Sequence, residues 1–247
     1  MARRPRQEVS LSVVMPCFNE AGTVLEAVHQ VLAVDFPAPV ELIVVDDGST
    51  DGTDLELALV ADHPRVTIHR HPSNLGKGAA VRAGVALATG THVMPFDADL
   101  EYSPEDVPRL LEPIIAGRCD VVYGTRLFGA NTVYQSYRYA MGNRITTLAA
   151  NVLFDSYIRD LHTCLKMLPR ETFQRLPLRE TGFGLDTEIT ASLLRMGVRP
   201  FEVPVSYHSR THAQGKKISW RDGIACLTIL GRVRLRRAAD QPTLRLR

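Results

Sequence analysis

Short apolar runs alternate along the first half of the chain with stretches whose apolar residues recur every three or four positions. The runs at residues 11–15, 42–45, 66–69, 93–96 and 120–123 predict strands. Helical spacing predicts helices over residues 22–34, after the polar turn at 46–52, over 78–88 and over 104–116. Gly90 lies just past the third of these helices, as helix-ending glycines do. Strands alternating with helices predict an α/β fold in which one mostly parallel sheet is covered on both faces. Ligands of such sheets bind beyond the carboxyl ends of the strands. The polar clusters Asn19-Glu20, Asp46-Asp47 and Asp97-Ala98-Asp99 each follow a predicted strand.

The second half is less regular. Residues 126–135 read as a loop and 137–158 as a helix with a stripe of Ile145, Leu148, Ala149, Val152 and Leu153. Short strands are expected at 164–168 and 201–205, and a helix over 187–196. The polar stretch 206–217, with Gly215 inside it, reads as a mobile loop. A last helix is expected over 219–237, basic at its end. The organisation is a basic tail at 1–9, a single domain at 10–218, and a basic amphipathic helix with its tail at 219–247.

At 247 residues the chain can bury a sizeable core. A formal net charge of +2 gives no general attraction to nucleic acid. The cationic charge is instead concentrated at the ends, with Arg3, Arg4 and Arg6 at one and Arg232, Arg234, Arg236, Arg237, Arg245 and Arg247 at the other. Cys17, Cys119, Cys164 and Cys226 show neither metal-site nor disulfide spacing and read as free thiols of a reducing compartment. No signal peptide is recognised, and no run reaches the roughly 20 apolar residues that span a bilayer. Neither an internal repeat nor a low-complexity linker is present.

The strongest chemical signal is Val93-Met94-Pro95-Phe96-Asp97-Ala98-Asp99-Leu100-Glu101. In extended chain, alternate side chains share a face, so Asp97, Asp99 and Glu101 are expected to converge. Converging carboxylates resist ionisation unless a cation joins them, and hard oxygen ligands suit Mg²⁺ or Mn²⁺ shared with substrate phosphates. A solvated acidic turn capping the helix near Pro104 is the alternative. Gly76-Lys77-Gly78 lacks the spacing of a phosphate-cradling P-loop, which leaves Lys77 as a support for a nucleotide cleft or as part of a structural loop.

Five motifs in order resemble the family 2 glycosyltransferases of the GT-A fold, and most of all the polyprenyl-phosphate (dolichyl-phosphate) mannosyl and glucosyl synthases. They are Val14-Met15-Pro16-Cys17-Phe18-Asn19-Glu20, Val44-Val45-Asp46-Asp47-Gly48-Ser49-Thr50-Asp51-Gly52, Asn74-Leu75-Gly76-Lys77-Gly78, Asp97-Ala98-Asp99-Leu100-Glu101 and Tyr123-Gly124-Thr125-Arg126. The resemblance implies inverting transfer of a hexose from a GDP- or UDP-sugar, helped by a divalent metal. It places Pro16, Phe18, Glu20 and Asp46 around the base and ribose, with turn and cap chemistry as the alternative. It counts Ala98 with the donor site and gives the metal to Asp97 and Asp99. Glu101 stands where those synthases often carry Gln, and is expected to ligate as well.

For a polyprenyl phosphate acceptor the resemblance implies two arginines. Arg126 matches directly; Arg138 is the second, with Arg144 competing and an ordinary exposed helical arginine as the alternative. Arg210 and Lys217 match a basic loop that closes over the diphosphate, although the spacing is longer than the family's. His208 and His212 read as solvated loop residues. Asp186 or Glu188, in Gly184-Leu185-Asp186-Thr187-Glu188, stands near the sugar in related enzymes or simply begins a helix. The expected location is cytoplasmic, peripheral at a membrane. Contact would be made through residues 145–158 or 219–237, or through a membrane subunit. Transfer to a soluble or polysaccharide acceptor, or nucleotide binding without turnover, are the competing functions.

Overall fold

The computed structural model describes residues 8–126, 132–133, 136–210 and 220–236. Strands β1 (Leu11–Cys17), β2 (Val40–Asp46), β3 (Val66–Arg70) and β4 (His92–Pro95) alternate with helices α1 (Val24–Ala33), α2 (Thr53–Ala58) and α3 (Lys77–Leu87). A single 3-10 turn, Pro104–Asp106, leads into α4 (Val107–Ile115). Then follow β5 (Val122–Thr125), β6 (Thr132–Val133), α5 (Tyr137–Phe154), β7 (Lys166–Pro169) and α6 (Arg170–Arg175). The chain continues through α7 (Leu185–Arg195), β8 (Phe201–Pro204), β9 (Tyr207–His208) and α8 (Trp220–Arg234).

Seven strands form one sheet in the order β3-β2-β1-β4-β7-β5-β8, and β6 pairs with β9 separately. The pairs within β3-β2-β1-β4 are parallel, as is β5 with β8. Only β7 runs antiparallel to its neighbours β4 and β5. The expected mostly parallel sheet is therefore present in a single domain.

Alternation along β1 explains both layers. Leu11, Val13, Met15 and Cys17 pack with Val24 and Val28 of α1 and Leu110 and Leu111 of α4. Val14, with Ile43 and Val45 of β2, packs on the opposite face against Val81 and Val85 of α3 and Leu185 and Ile189 of α7. Because both faces are covered, β1 is buried at every residue. A third cluster holds α5, α7 and α8 together through Ala150, Phe154, Leu194, Ile229, Leu230 and Val233.

Three expectations shift. The helix expected over 137–158 ends at Phe154, where Asp155 takes φ 46° and turns the chain. The strands expected at 120–123 and 164–168 each begin two residues later. Within the regions read as loops, β6 and β9 pair with each other. Among the described residues, no helix is long and apolar enough to cross a membrane. All four cysteines are free.

Candidate active site

The carboxyl ends of β1 and β2 carry the first group of site residues. Pro16 is buried within β1 and Phe18 is half-buried just past its end. Asp46, the last residue of β2, is buried; its Oδ1 accepts the Ser49 N–H at 2.9 Å and its Oδ2 lies 3.3 Å from Arg70 Nε. Glu20 accepts the Thr23 hydroxyl at 2.8 Å on Oε2 and, on the same oxygen, Arg210 Nη1 at 3.1 Å. Asp47 works on the neighbouring loop. It accepts the N–H groups of Leu75 (3.0 Å) and Gly76 (2.7 Å) and lies 2.7 Å from His71 Nδ1. Gly48, at φ 73°, allows that loop to approach; a Cβ there would sit 2.5 Å from the Ser73 carbonyl carbon.

With the loop pinned, α3 begins at Lys77, whose amine reaches across to β4. Its Nζ donates to Asp97 Oδ2 at 2.7 Å and lies 3.7 Å from Asp186 Oδ2 at the start of α7. Asp186 in turn accepts from Lys166 Nζ at 3.3 Å. The fully buried Lys166 amine also donates to the carbonyls of Leu161 and Thr163. Charges thus alternate from Asp97 through Lys77 and Asp186 to Lys166. Burial works against the charge of Lys77, but Asp97 and Asp186 outweigh it and its amine is raised above the ordinary lysine value. Burial dominates at Lys166, whose amine is lowered.

The three carboxylates of 97–101 do not share a face as strand alternation predicted. The strand ends at Pro95, residues 98 and 99 turn, and Leu100 takes φ 58°, which re-aims everything after it. Asp97 and Asp99 remain near each other past the end of β4. Asp99 keeps partial access to solvent, yet protein encloses most of it. That desolvation, followed by the charges of Asp97 and Glu101, raises its carboxyl to about 7. Ala98 between them is buried in the core. Glu101 is turned to other work: Oε2 accepts the Tyr207 hydroxyl and Oε1 accepts the Arg210 N–H, both at 2.6 Å. Among the described residues no group of three or more His, Cys, Asp or Glu is gathered to hold a metal. Asp97 and Asp99 still fit a divalent cation, since Mg²⁺ commonly takes one or two carboxylates and completes its shell with water and phosphate.

Arg126 follows β5 and is buried, with its guanidinium already paired inside the protein. Asp160 grips it in a fork: Nε to Oδ2 at 2.6 Å and Nη2 to Oδ1 at 2.7 Å, with the Arg126 N–H adding 3.1 Å to Oδ2. Asn143 of α5 donates to the same carboxylate at 2.9 Å. The guanidinium carbon lies 4.8 Å from the ring centre of Tyr207, so one tyrosine touches both Arg126 and Glu101. Burial alone would raise the Asp160 carboxyl; Arg126 and Asn143 overcome it and hold the carboxyl far below the usual range.

Arg210 joins the segment after β1 to the Asp97–Glu101 turn. It bonds Glu20 through its side chain and Glu101 through its backbone, and its Nη2 is buried without a hydrogen-bond partner in the described structure. Arg138 is exposed on the first turn of α5 and Arg144 is exposed two turns on. Lys217, most of the 206–217 loop and most of the 126–135 loop lie outside the described residues. Of the two acids at the start of α7, only Asp186 faces the cleft chain of charges. Glu188 is fully buried, accepting the N–H groups of Arg179 and Glu180 and contacting Arg232 and Arg236, so it ties α7 to α8. Sequence reasoning missed Asp160 and Lys166. A lysine inside the apolar run Cys164-Leu165-Lys166-Met167-Leu168 was the available signal for the second.

The family model described as Glycosyl transferase family 2 matches residues 12–176. Glycosyltransferase AglJ of Haloferax volcanii is 30% identical, covering 81% of this chain and 64% of its own length. Polyprenol monophosphomannose synthase of Mycolicibacterium smegmatis is 31% identical, covering 84% of this chain and 80% of its own. Against two further Haloferax glycosyltransferases, Agl6 and AglD, the chain spans 48% and 34% of their lengths. Glucosyl-3-phosphoglycerate synthase from Mycobacterium tuberculosis, crystallised with Mn²⁺, UDP and glucosyl-3-phosphoglycerate, shares the fold. Its TM-score is 0.66 at 21% identity, over 94% of this chain and 87% of that one.

Proposed function

Because the chain belongs to glycosyl transferase family 2, we propose that it transfers a hexose from a GDP- or UDP-sugar to a polyprenyl phosphate, inverting the sugar carbon. The observation carrying this reading is the junction at Tyr207, which links the Asp97–Glu101 turn to the buried cation Arg126. Two phosphate-bearing reactants need two cationic positions, and Tyr207 joins the segments that would supply them.

Asp97 and Asp99 would hold a Mg²⁺ or Mn²⁺ ion. When bound, that cation supplies Lewis-acid neutralisation of the departing diphosphate. Lys77 donates to Asp97 and fixes the position of that carboxylate. Arg210, held by Glu20 through its side chain and by Glu101 through its backbone, and Lys217 would meet the diphosphate oxygens. Pro16, Phe18, Glu20, Asp46 and Ala98 would line the donor. Asp186, steadied by Lys166, is offered to the sugar hydroxyls. Arg126, oriented by Asp160, and Arg138 would position the acceptor phosphate. That phosphate is already nucleophilic at neutral pH, so placement and electrostatics carry the rate without a general base. The protein would work at the cytoplasmic face of a membrane. The polyprenol synthase relative supports the acceptor class.

The test is transfer from labelled GDP- and UDP-sugars to detergent-dispersed polyprenyl phosphate with Mn²⁺. Lipid-extractable, mild-acid-labile label is expected, and Asp99→Ala should abolish it. Label appearing only in water-soluble product would move the reading to a soluble or polysaccharide acceptor. Nucleotide binding with no release of nucleoside diphosphate under any acceptor would leave a binding module.

A further inference from the structure

The outward faces of α5 and α8 are unusual for a folded domain. Ile145, Leu148 and Val152 are 54%, 63% and 74% exposed, and their spacing sets them on one line along α5. The opposite face of the same helix carries Asn143, Thr146, Thr147, Ala150 and Phe154, all buried. At 3.6 residues per turn, Arg138 and Arg144 flank the apolar line on either side. The sequence of α5, YRYAMGNRITTLAANVLF, contains no carboxylate. Beside it α8, which packs on α5, exposes Ile224 and Leu227; it carries Asp222 in its first turn and ends in Arg232, which is paired with Glu180 and Glu188, and the exposed Arg234.

We propose that these two helix faces form the surface through which the protein lies on an anionic lipid bilayer. An apolar stripe edged by arginines and free of acidic groups on α5 matches acyl chains below and anionic headgroups around them. The internal wiring points the same way. The inner face of α5 supplies Asn143 to the carboxylate that orients Arg126, so one helix carries the bilayer contact outside and the phosphate-positioning network inside. A lipid phosphate whose tail stays in the membrane would thereby reach Arg126 without leaving the interface. This last step rests on the proposed lipid acceptor; the membrane contact itself does not.

The test uses the full chain with sedimented vesicles of phosphatidylcholine alone or mixed with phosphatidylglycerol. Wild type should bind the mixed vesicles, and less at high salt. The paired change Leu148→Gln with Val152→Gln should lower the partition coefficient at least tenfold while the thermal midpoint and far-UV circular dichroism stay as in wild type. Arg144→Gln should lower it several-fold on anionic vesicles only. Transfer by the paired variant should fall on vesicle-borne acceptor and persist on detergent-dispersed acceptor. Failure of wild type to bind anionic vesicles, or equal binding by the paired variant, would overturn the proposal. So would a wild-type dimer in sedimentation velocity that the paired change dissolves, since a second copy would then cover this face. If no polyprenyl phosphate is glycosylated yet the variant still loses vesicle binding, the acceptor reading fails and the surface stands.

Discussion

Asp99 is a carboxyl whose surroundings oppose its charge. Its folded-state value of about 7 lies above the ordinary 3.8. Stability from this group is therefore full at low pH and is lost as pH rises through about 7. Asn in its place has no charge to bury. Asp99→Asn should thus raise the thermal midpoint at pH 8, lose that advantage near pH 4, and abolish transfer. Asp160 is the reverse case. Its carboxyl is held far below the usual range, so its stability is present above that range and lost only as pH falls through the depressed value. Asp160→Asn leaves Arg126 buried and half-paired and should cost about 3–5 kcal/mol in urea denaturation. The midpoint should move with little change in slope. Asp97 and Asp99 were legible in the sequence because a strand end followed by carboxylates is a local pattern. Asp160 was not, because its partner lies 34 positions away and nothing near Arg159-Asp160-Leu161 marks it as buried. Glu101 misled because alternation holds only while the chain stays extended, and Leu100 ends that.

At the scale of elements, β1 and β2 were readable because burial on both faces demands a near-continuous apolar run. The direction of β7 was not: four residues with no turn signature do not encode whether a strand runs with or against its neighbours. Helix α6, at six residues, is too short to show a period. The contact between α3 and the sheet depends on a missing side chain. A Cβ at Gly84 would lie 2.4 Å from Val14 Cγ1 and 3.2 Å from Val45 Cγ2, both of which are buried. Gly84→Val should therefore push α3 off β1 and β2 and cost about 1–3 kcal/mol in chemical denaturation. Stability equal to wild type would mean that the helix seats differently from the arrangement described.

The whole molecule reads as a sheet whose carboxyl ends gather charges from distant segments. Positions 20 and 210 meet there through Glu20 with Arg210, and positions 77, 97 and 186 through Lys77 with Asp97 and Asp186. In the proposed reaction Asp97 and Asp99 bind the donor's diphosphate through a divalent cation. Isothermal titration of GDP and UDP into wild type and Asp99→Ala, with Mn²⁺ and then with excess EDTA, tests it most directly. Binding of at least one nucleotide by wild type with Mn²⁺ is predicted, weakened at least tenfold by EDTA or by the substitution. Equal affinity in EDTA, or undiminished Mn²⁺-dependent binding by Asp99→Ala, would contradict it.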